Sequence, residues 1–107
     1  MSERWHTARD GTRLWYEIHG EAGDGPTLLL ADGIGCDGYI WRYVLPALEG
    51  RGQVIHLHMR GHGNSQPPAD PALVRIQDHA DDWRGLLDAL GITQAVAIGH
   101  SMGVQVC

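Results

Sequence analysis

The sequence predicts an α/β fold: a mostly parallel, doubly wound sheet with an N-terminal antiparallel hairpin, reaching just past a sharp strand-to-helix turn. Three observations carry this. The apolar runs Thr27–Ala31 and Ala95–Ile98 are continuous rather than alternating, as in strands buried on both faces, and Val54–Met59, with His56 and His58 in it, is another buried-strand candidate. Helical patterns separate them, and a strand–helix–strand–helix–strand order closes as a parallel sheet with right-handed crossovers. The last run stops at Gly99-His100-Ser101-Met102-Gly103, a Gly-x-Ser-x-Gly stretch with further apolar residues behind it.

The elements follow in order. Asp10-Gly11 is a turn signal between Trp5–Arg9 and Arg13–His19. Leu14, Tyr16 and Ile18 alternate with Arg13, Trp15, Glu17 and His19, which predicts a hairpin strand with two unlike faces. Glu21–Pro26 is a loop. Thr27–Ala31 then reads as a central strand that runs into the glycine-rich Asp32–Gly38. Trp41, Leu45 and Leu48 share one face of a helix at i, i+4, i+7, closed by Gly50-Arg51-Gly52. The strand Val54–Met59 leads into Arg60–Ser65 and a proline-rich exposed loop, Gln66–Pro71. Asp78–Leu90 is the clearest helix, with Ala80, Trp83, Leu87 and Leu90 inward and Gly91 ready as its C-terminal cap. Asp78, Asp81 and Asp82 sit at the favourable end of its dipole, and Asp81, Asp82 and Asp88 are expected on a solvated face. Trp5, Trp15, Trp41 and Trp83 are expected to be packing groups.

Composition narrows the function. The chain has 107 residues, one domain's worth over 1–107, and a formal net charge of −5. That balance, with no basic cluster, argues against nucleic acid or an anionic membrane surface as partner. The N-terminus has no apolar core of a signal peptide and no run reaches about 18 apolar residues, so neither secretion nor a membrane span is expected. Cys36 and Cys107 have no zinc-like spacing and are expected as reduced thiols in a cytoplasmic protein.

The Gly-x-Ser-x-Gly stretch has a physical logic. A strand turning sharply into a helix forces its central residue into a strained conformation, with the flanking chain passing very close. Glycine lacks the Cβ that would collide at Gly99 and Gly103. The strain lifts the Ser101 hydroxyl clear of the sheet. The bland alternative is that Ser101 only caps a helix.

Four features in order resemble the α/β-hydrolase fold family. Asp32-Gly33-Ile34-Gly35 stands where that family has a His-Gly-x-Gly-like loop. His58-Met59-Arg60-Gly61-His62-Gly63-Asn64-Ser65 is similar to its Asp-x-Arg-Gly-x-Gly-x-Ser. Leu90-Gly91 ends a helix before the last strand, and Gly99–Gly103 resembles its nucleophile elbow. The likeness covers essentially the whole chain from Thr7. Two departures stand out, Asp32 for His and His58 for Asp, at positions that shape loops near the site. The resemblance implies a serine hydrolase acting on a small ester-like or lactone substrate without a cofactor. Ser101 would be the nucleophile, with the backbone N–H groups of Met102 and Ile34 forming the oxyanion hole. Gly33, Gly35, Gly99, His100 and Gly103 would support it.

In this family the triad runs Ser, acid, His along the chain. Neither an acid nor a histidine follows Ser101; the histidines are His6, His19, His56, His58, His62, His79 and His100. His62 is out of order as a base. The chain therefore reads as the N-terminal part of a longer hydrolase, expected to be inactive and poorly stable alone. Three rival readings remain. Gly33–Gly38 fits Gly-x-Gly-x-x-Gly, but His58-Met59-Arg60 stands where the ribose-binding acid belongs. His56-x-His58 with His62 is an incomplete metal-ligand set, and no metal is expected. A non-catalytic binding module is the third, because fold alone does not establish function.

Overall fold

The computed structural model describes residues 2–20, 26–33, 39–48 and 52–107. Several expectations lie outside the described residues: most of the 21–26 loop, the Ile34 oxyanion donor with Gly35 and Cys36, nearly all of the 33–38 glycine pattern, and the helix-closing Gly50-Arg51.

The chain begins with a hairpin. Strand β1 (Ser2–Thr7) pairs antiparallel with β2 (Arg13–His19), Trp5 opposite Trp15. β3 (Leu28–Ala31) follows, then a 3₁₀ turn at Tyr39–Trp41 and a short helix α1 (Leu45–Leu48). Next come β4 (Val54–Leu57), the long helix α2 (Ile76–Leu90), β5 (Val96–Gly99) and α3 (Met102–Val106). The sheet order is β1-β2-β4-β3-β5. β4, β3 and β5 run parallel, with Leu28 level with both Val54 and Val96, and β2 joins β4 antiparallel. The expected sheet and hairpin are both present, as one mixed sheet.

Each sheet face carries its own apolar cluster. Leu14, Tyr16, Ile18, Leu29, Ile55, Leu57 and Met59 pack with Trp83 and Leu86 of α2. On the other face Leu28, Leu30 and Val54 pack with Trp41, with Leu45 and Leu48 of α1 against them. α2 starts where the Asp78 carboxylate accepts the Arg75 N–H at 3.0 Å. It ends at Gly91 in the left-handed region (φ 71°), where the Gly91 N–H bonds the Asp88 carbonyl. No helix among the described residues is long and apolar enough to cross a membrane.

Three local expectations need correction. The Trp41–Leu48 face is right but not one helix: it breaks into a 3₁₀ turn and the short α1. Pro46 cannot donate to the carbonyl of Arg42 and its ring would strike it, so the helix starts afresh at Leu45. β2 has the two unlike faces expected, Leu14, Tyr16 and Ile18 in the apolar cluster and Arg13, Trp15, Glu17 and His19 on the other side, where Trp15 and His19 are buried as well. It lies inside the sheet, and its second face meets His56 of β4 and His58 just beyond it. The strand 95–98 is parallel but not buried, for Val96 is 49% exposed. β5 is the last strand in the order, and among the described residues only β3 pairs with it. Finally, Asp82 is buried rather than solvated, because Arg60 reaches it.

Candidate active site

Ser101 sits between the end of β5 and the start of α3 with φ 56° and ψ −118°. Among the described residues it alone, apart from glycines, has positive φ. That conformation costs on the order of 1–3 kcal/mol and persists only where the surroundings impose it. Here they do. A Cβ on Gly99 would lie 2.5 Å from the Val104 nitrogen and 2.6 Å from the Gly103 carbonyl carbon. One on Gly103 would lie 2.1 Å from the Ala31 carbonyl oxygen. Both glycines are demanded by backbone approach. Ser101 is exposed, and its hydroxyl makes no capping hydrogen bond. The N–H groups of Gly103 and Val104 bond the carbonyls of His100 and Ser101 at 2.9 and 3.1 Å. The Met102 N–H makes no backbone hydrogen bond among the described residues.

The end of β3 lies against this turn. The His100 N–H bonds the Ala31 carbonyl at 3.1 Å. A Cβ on Gly33 would stand 3.2 Å from both His100 Nδ1 and Ser101 Cβ, so Gly33 lets the loop pass beneath the serine. Between them, Asp32 is fully buried. Its Oδ1 accepts the Trp41 indole N–H at 2.5 Å, and its Oδ2 accepts the His56 Nε2–H at 2.8 Å. Trp41 is thus more than the expected packing group. An Asp directly after an apolar strand was the sequence signal for such a pairing, but its partners were not legible.

The Arg60–Ser65 segment is a scaffold. The Trp15 N–H donates to Ser65 Oγ at 2.8 Å, and that hydroxyl donates to the His58 carbonyl. The Asn64 N–H donates to His58 Nδ1 at 2.9 Å. His58 thus accepts a loop amide through a ring nitrogen. Gly63 (φ 51°) makes room: a Cβ there would lie 2.3 Å from His58 Nδ1. The buried Arg60 guanidinium donates to Asp82 from Nε at 2.7 Å and to Asp10 at 2.8 Å. The Asp82 hydrogen bonds lead in holding Arg60 firmly protonated, against its burial.

Four of the histidines fall into two groups. Glu17, His56 and His58 each place a donor atom within 4.8 Å of the others. Glu17 takes the place expected for His62, because β2 pairs it directly opposite His56. A metal would need ring lone pairs. Asn64 occupies the Nδ1 lone pair of His58, which leaves that ring's proton on Nε2, so the donor set suits a hydrogen-bonded cluster better. His62 turns away instead, its Nδ1 on the Arg60 carbonyl at 2.9 Å and its ring 6.0 Å from His79. Burial first, then the charges of His62 and Arg60, push His79 down to about 4. The unfolded chain takes that proton near the ordinary 6.5, so stability is whole above pH 6.5 and is lost as pH falls towards 4. The loss attributable to this ring is about 1–3 kcal/mol. Urea midpoints at pH 7 and pH 4.5 check it: His79→Leu should shrink the difference, and an unchanged difference would refute the assignment.

The comparisons with known proteins agree with this architecture. A family model described as alpha/beta hydrolase fold matches residues 26–107. An epoxide hydrolase of Caballeronia sordidicola is 40% identical over 84 residues, which is 78% of this chain and 26% of that protein. The crystal structure of an enol-lactonase from Burkholderia xenovorans superposes with a TM-score of 0.83 at 35% identity, over 94% of this chain and 38% of that one. An alpha/beta hydrolase from Novosphingobium aromaticivorans reaches a TM-score of 0.92 at 28% identity, over 98% and 37%. The chain spans roughly a quarter to two fifths of these proteins. A serine held at positive φ between two obligatory glycines, the five-stranded sheet beneath it and these matches lead to one conclusion: the chain belongs to the alpha/beta hydrolase family.

Proposed function

We propose that Ser101 is the nucleophile of a serine hydrolase that cleaves carboxylic esters or lactones through an acyl-serine intermediate. The observation that carries this is the exposed Ser101 on the strained elbow, its hydroxyl not spent on capping α3. Attack on a carbonyl carbon forms the Ser101 Oγ–C bond and an oxyanion. The Met102 N–H, and by position in the sequence the Ile34 N–H, would receive that charge. Collapse expels the alcohol, and water then releases the acid.

The relatives include epoxide hydrolases and an enol-lactonase. The chemistry of a hydroxyl favours the acyl side. Opening an epoxide with Ser101 would leave a serine alkyl ether, whose C–O bond water does not cleave near neutral pH. An acyl-serine is an ester and turns over.

A serine hydroxyl needs a base, and a base needs an orienting acid. We place both beyond residue 107, since the family's chain order is Ser, acid, His. This makes residues 1–107 the N-terminal part of one hydrolase domain, acting on small molecules without a cofactor. The test is a substrate panel on the protein with its whole reading frame: p-nitrophenyl acetate, a γ-lactone and styrene oxide. Ester or lactone turnover with a burst of released alcohol is expected, and styrene oxide should be inert. Epoxide turnover that depends on Ser101 would sink the acyl reading.

A further inference from the structure

We propose that Asp32 is a positioning residue for the elbow, holding it in place through the Trp41 indole and the His56 imidazole. The inference rests on the reading of Ser101 as nucleophile. Asp32 connects two sets of contacts. Its backbone neighbourhood is the floor under the serine. The Ala31 carbonyl takes the His100 N–H at 3.1 Å, the Asp32 carbonyl oxygen lies 2.8 Å from where a Gly103 Cβ would be, and Gly33 passes under Ser101. Its side chain points into the opposite face of the sheet, where it is fully buried. A buried carboxylate must have donors, and Trp41 and His56 supply them at Oδ1 and Oδ2. Trp41 is itself locked in the cluster of Leu28, Leu30 and Val54, and His56 is fixed by the pairing of β4 with β3 and β2. The elbow floor is therefore tied through one carboxylate to side chains packed on the opposite face of the sheet. A shift of about 1 Å in a reacting group can cost about 10²-fold in rate, and a clamp of this kind guards against that shift.

Hydrogen-bond geometry predicts how variants differ. Asp32→Asn keeps an oxygen for Trp41 and turns an N–H towards His56, which accepts it in its other tautomer. Asp32→Ala loses both bonds. Trp41→Phe keeps the packing and loses one donor. In the protein with its whole reading frame, kcat for the ester should fall about 10²-fold in Asp32→Ala and a few-fold in Trp41→Phe, with KM little changed, while Asp32→Asn stays near wild type. A second readout does not depend on catalysis. Hydrogen exchange of the His100 amide should quicken in Asp32→Ala and stay slow in Asp32→Asn. If Asp32→Ala fails to fold, Trp41→Phe and Asp32→Asn carry the test, Trp41→Phe being expected to quicken His100 exchange. Unchanged kcat and His100 exchange in the variants that lose bonds would overturn the proposal, as would Asp32→Asn behaving like Asp32→Ala. Failure of the nucleophile reading shows separately, as turnover that survives Ser101→Ala while His100 exchange still follows the hydrogen bonds.

Discussion

Replacing Ser101 with alanine is expected to lower ester turnover about 10⁴–10⁶-fold in the protein with its whole reading frame. The size follows from what the residue does. Ser101 forms the covalent bond, and without it the base activates nothing, so only substrate binding and oxyanion stabilisation remain. The alanine itself is strained at φ 56°, where a serine already stands, so the fold should change little. The same comparison in the 107-residue chain alone should give a ratio near one. No acid or histidine follows Ser101 there, and His62, the out-of-order candidate for the base, is turned to the Arg60 carbonyl and His79. p-Nitrophenyl acetate hydrolysis by both forms, wild type against Ser101→Ala, reads out the two expectations together. Turnover by the short chain that requires Ser101 would locate a base among residues 1–100 and overturn the division of the triad.

Gly103→Ala should be among the most damaging single-methyl substitutions in the chain. The new Cβ would fall 2.1 Å from the Ala31 carbonyl oxygen and 2.8 Å from that of Asp32. Both are backbone atoms of the β3 end and cannot swing aside. Either α3 lifts off the sheet or the elbow opens, and the expected loss exceeds about 4 kcal/mol, the range reserved for named structural failures. Gly85→Ala is the control. Its Cβ would meet only the His6 ring nitrogen at 3.5 Å, inside a regular helix, so it should gain about 0.5–1 kcal/mol. Urea unfolding of the three proteins gives the ordering directly. Gly103→Ala with wild-type stability and wild-type turnover would mean that β3 does not press on the elbow as described.

β5 carries a related consequence. Val96 is 49% exposed, and among the described residues the strand pairs on one side only. An apolar edge of this kind invites pairing with another chain, in keeping with poor solution behaviour expected of residues 1–107 alone.

Residue pattern by itself determined the parts of this protein whose cause is local. Three largely apolar runs gave β3, β4 and β5; β3 and β4 are buried along their length, as strands covered on both faces are, while β5 is left exposed as the last strand in the order. The spacing of Ala80, Trp83, Leu87 and Leu90 gave α2, and Gly91 marked its end because the chain there needs positive φ. Gly99, Ser101 and Gly103 gave the elbow, since glycine at both flanks is a local steric requirement. Pro46 was equally legible as a helix break, by the missing N–H, and the periodicity of Trp41, Leu45 and Leu48 masked it. What only the tertiary structure decided are the partners. Arg60 finds Asp82 across 22 residues, Asp32 finds His56 across 24, and Glu17 joins His56 and His58 because β2 lands beside β4 in that register. A one-residue slip of β2 would have turned Glu17 to the other face. Local pattern reports which face a side chain takes, whereas strand order and register, set by the packing of the whole sheet, decide what waits for it there.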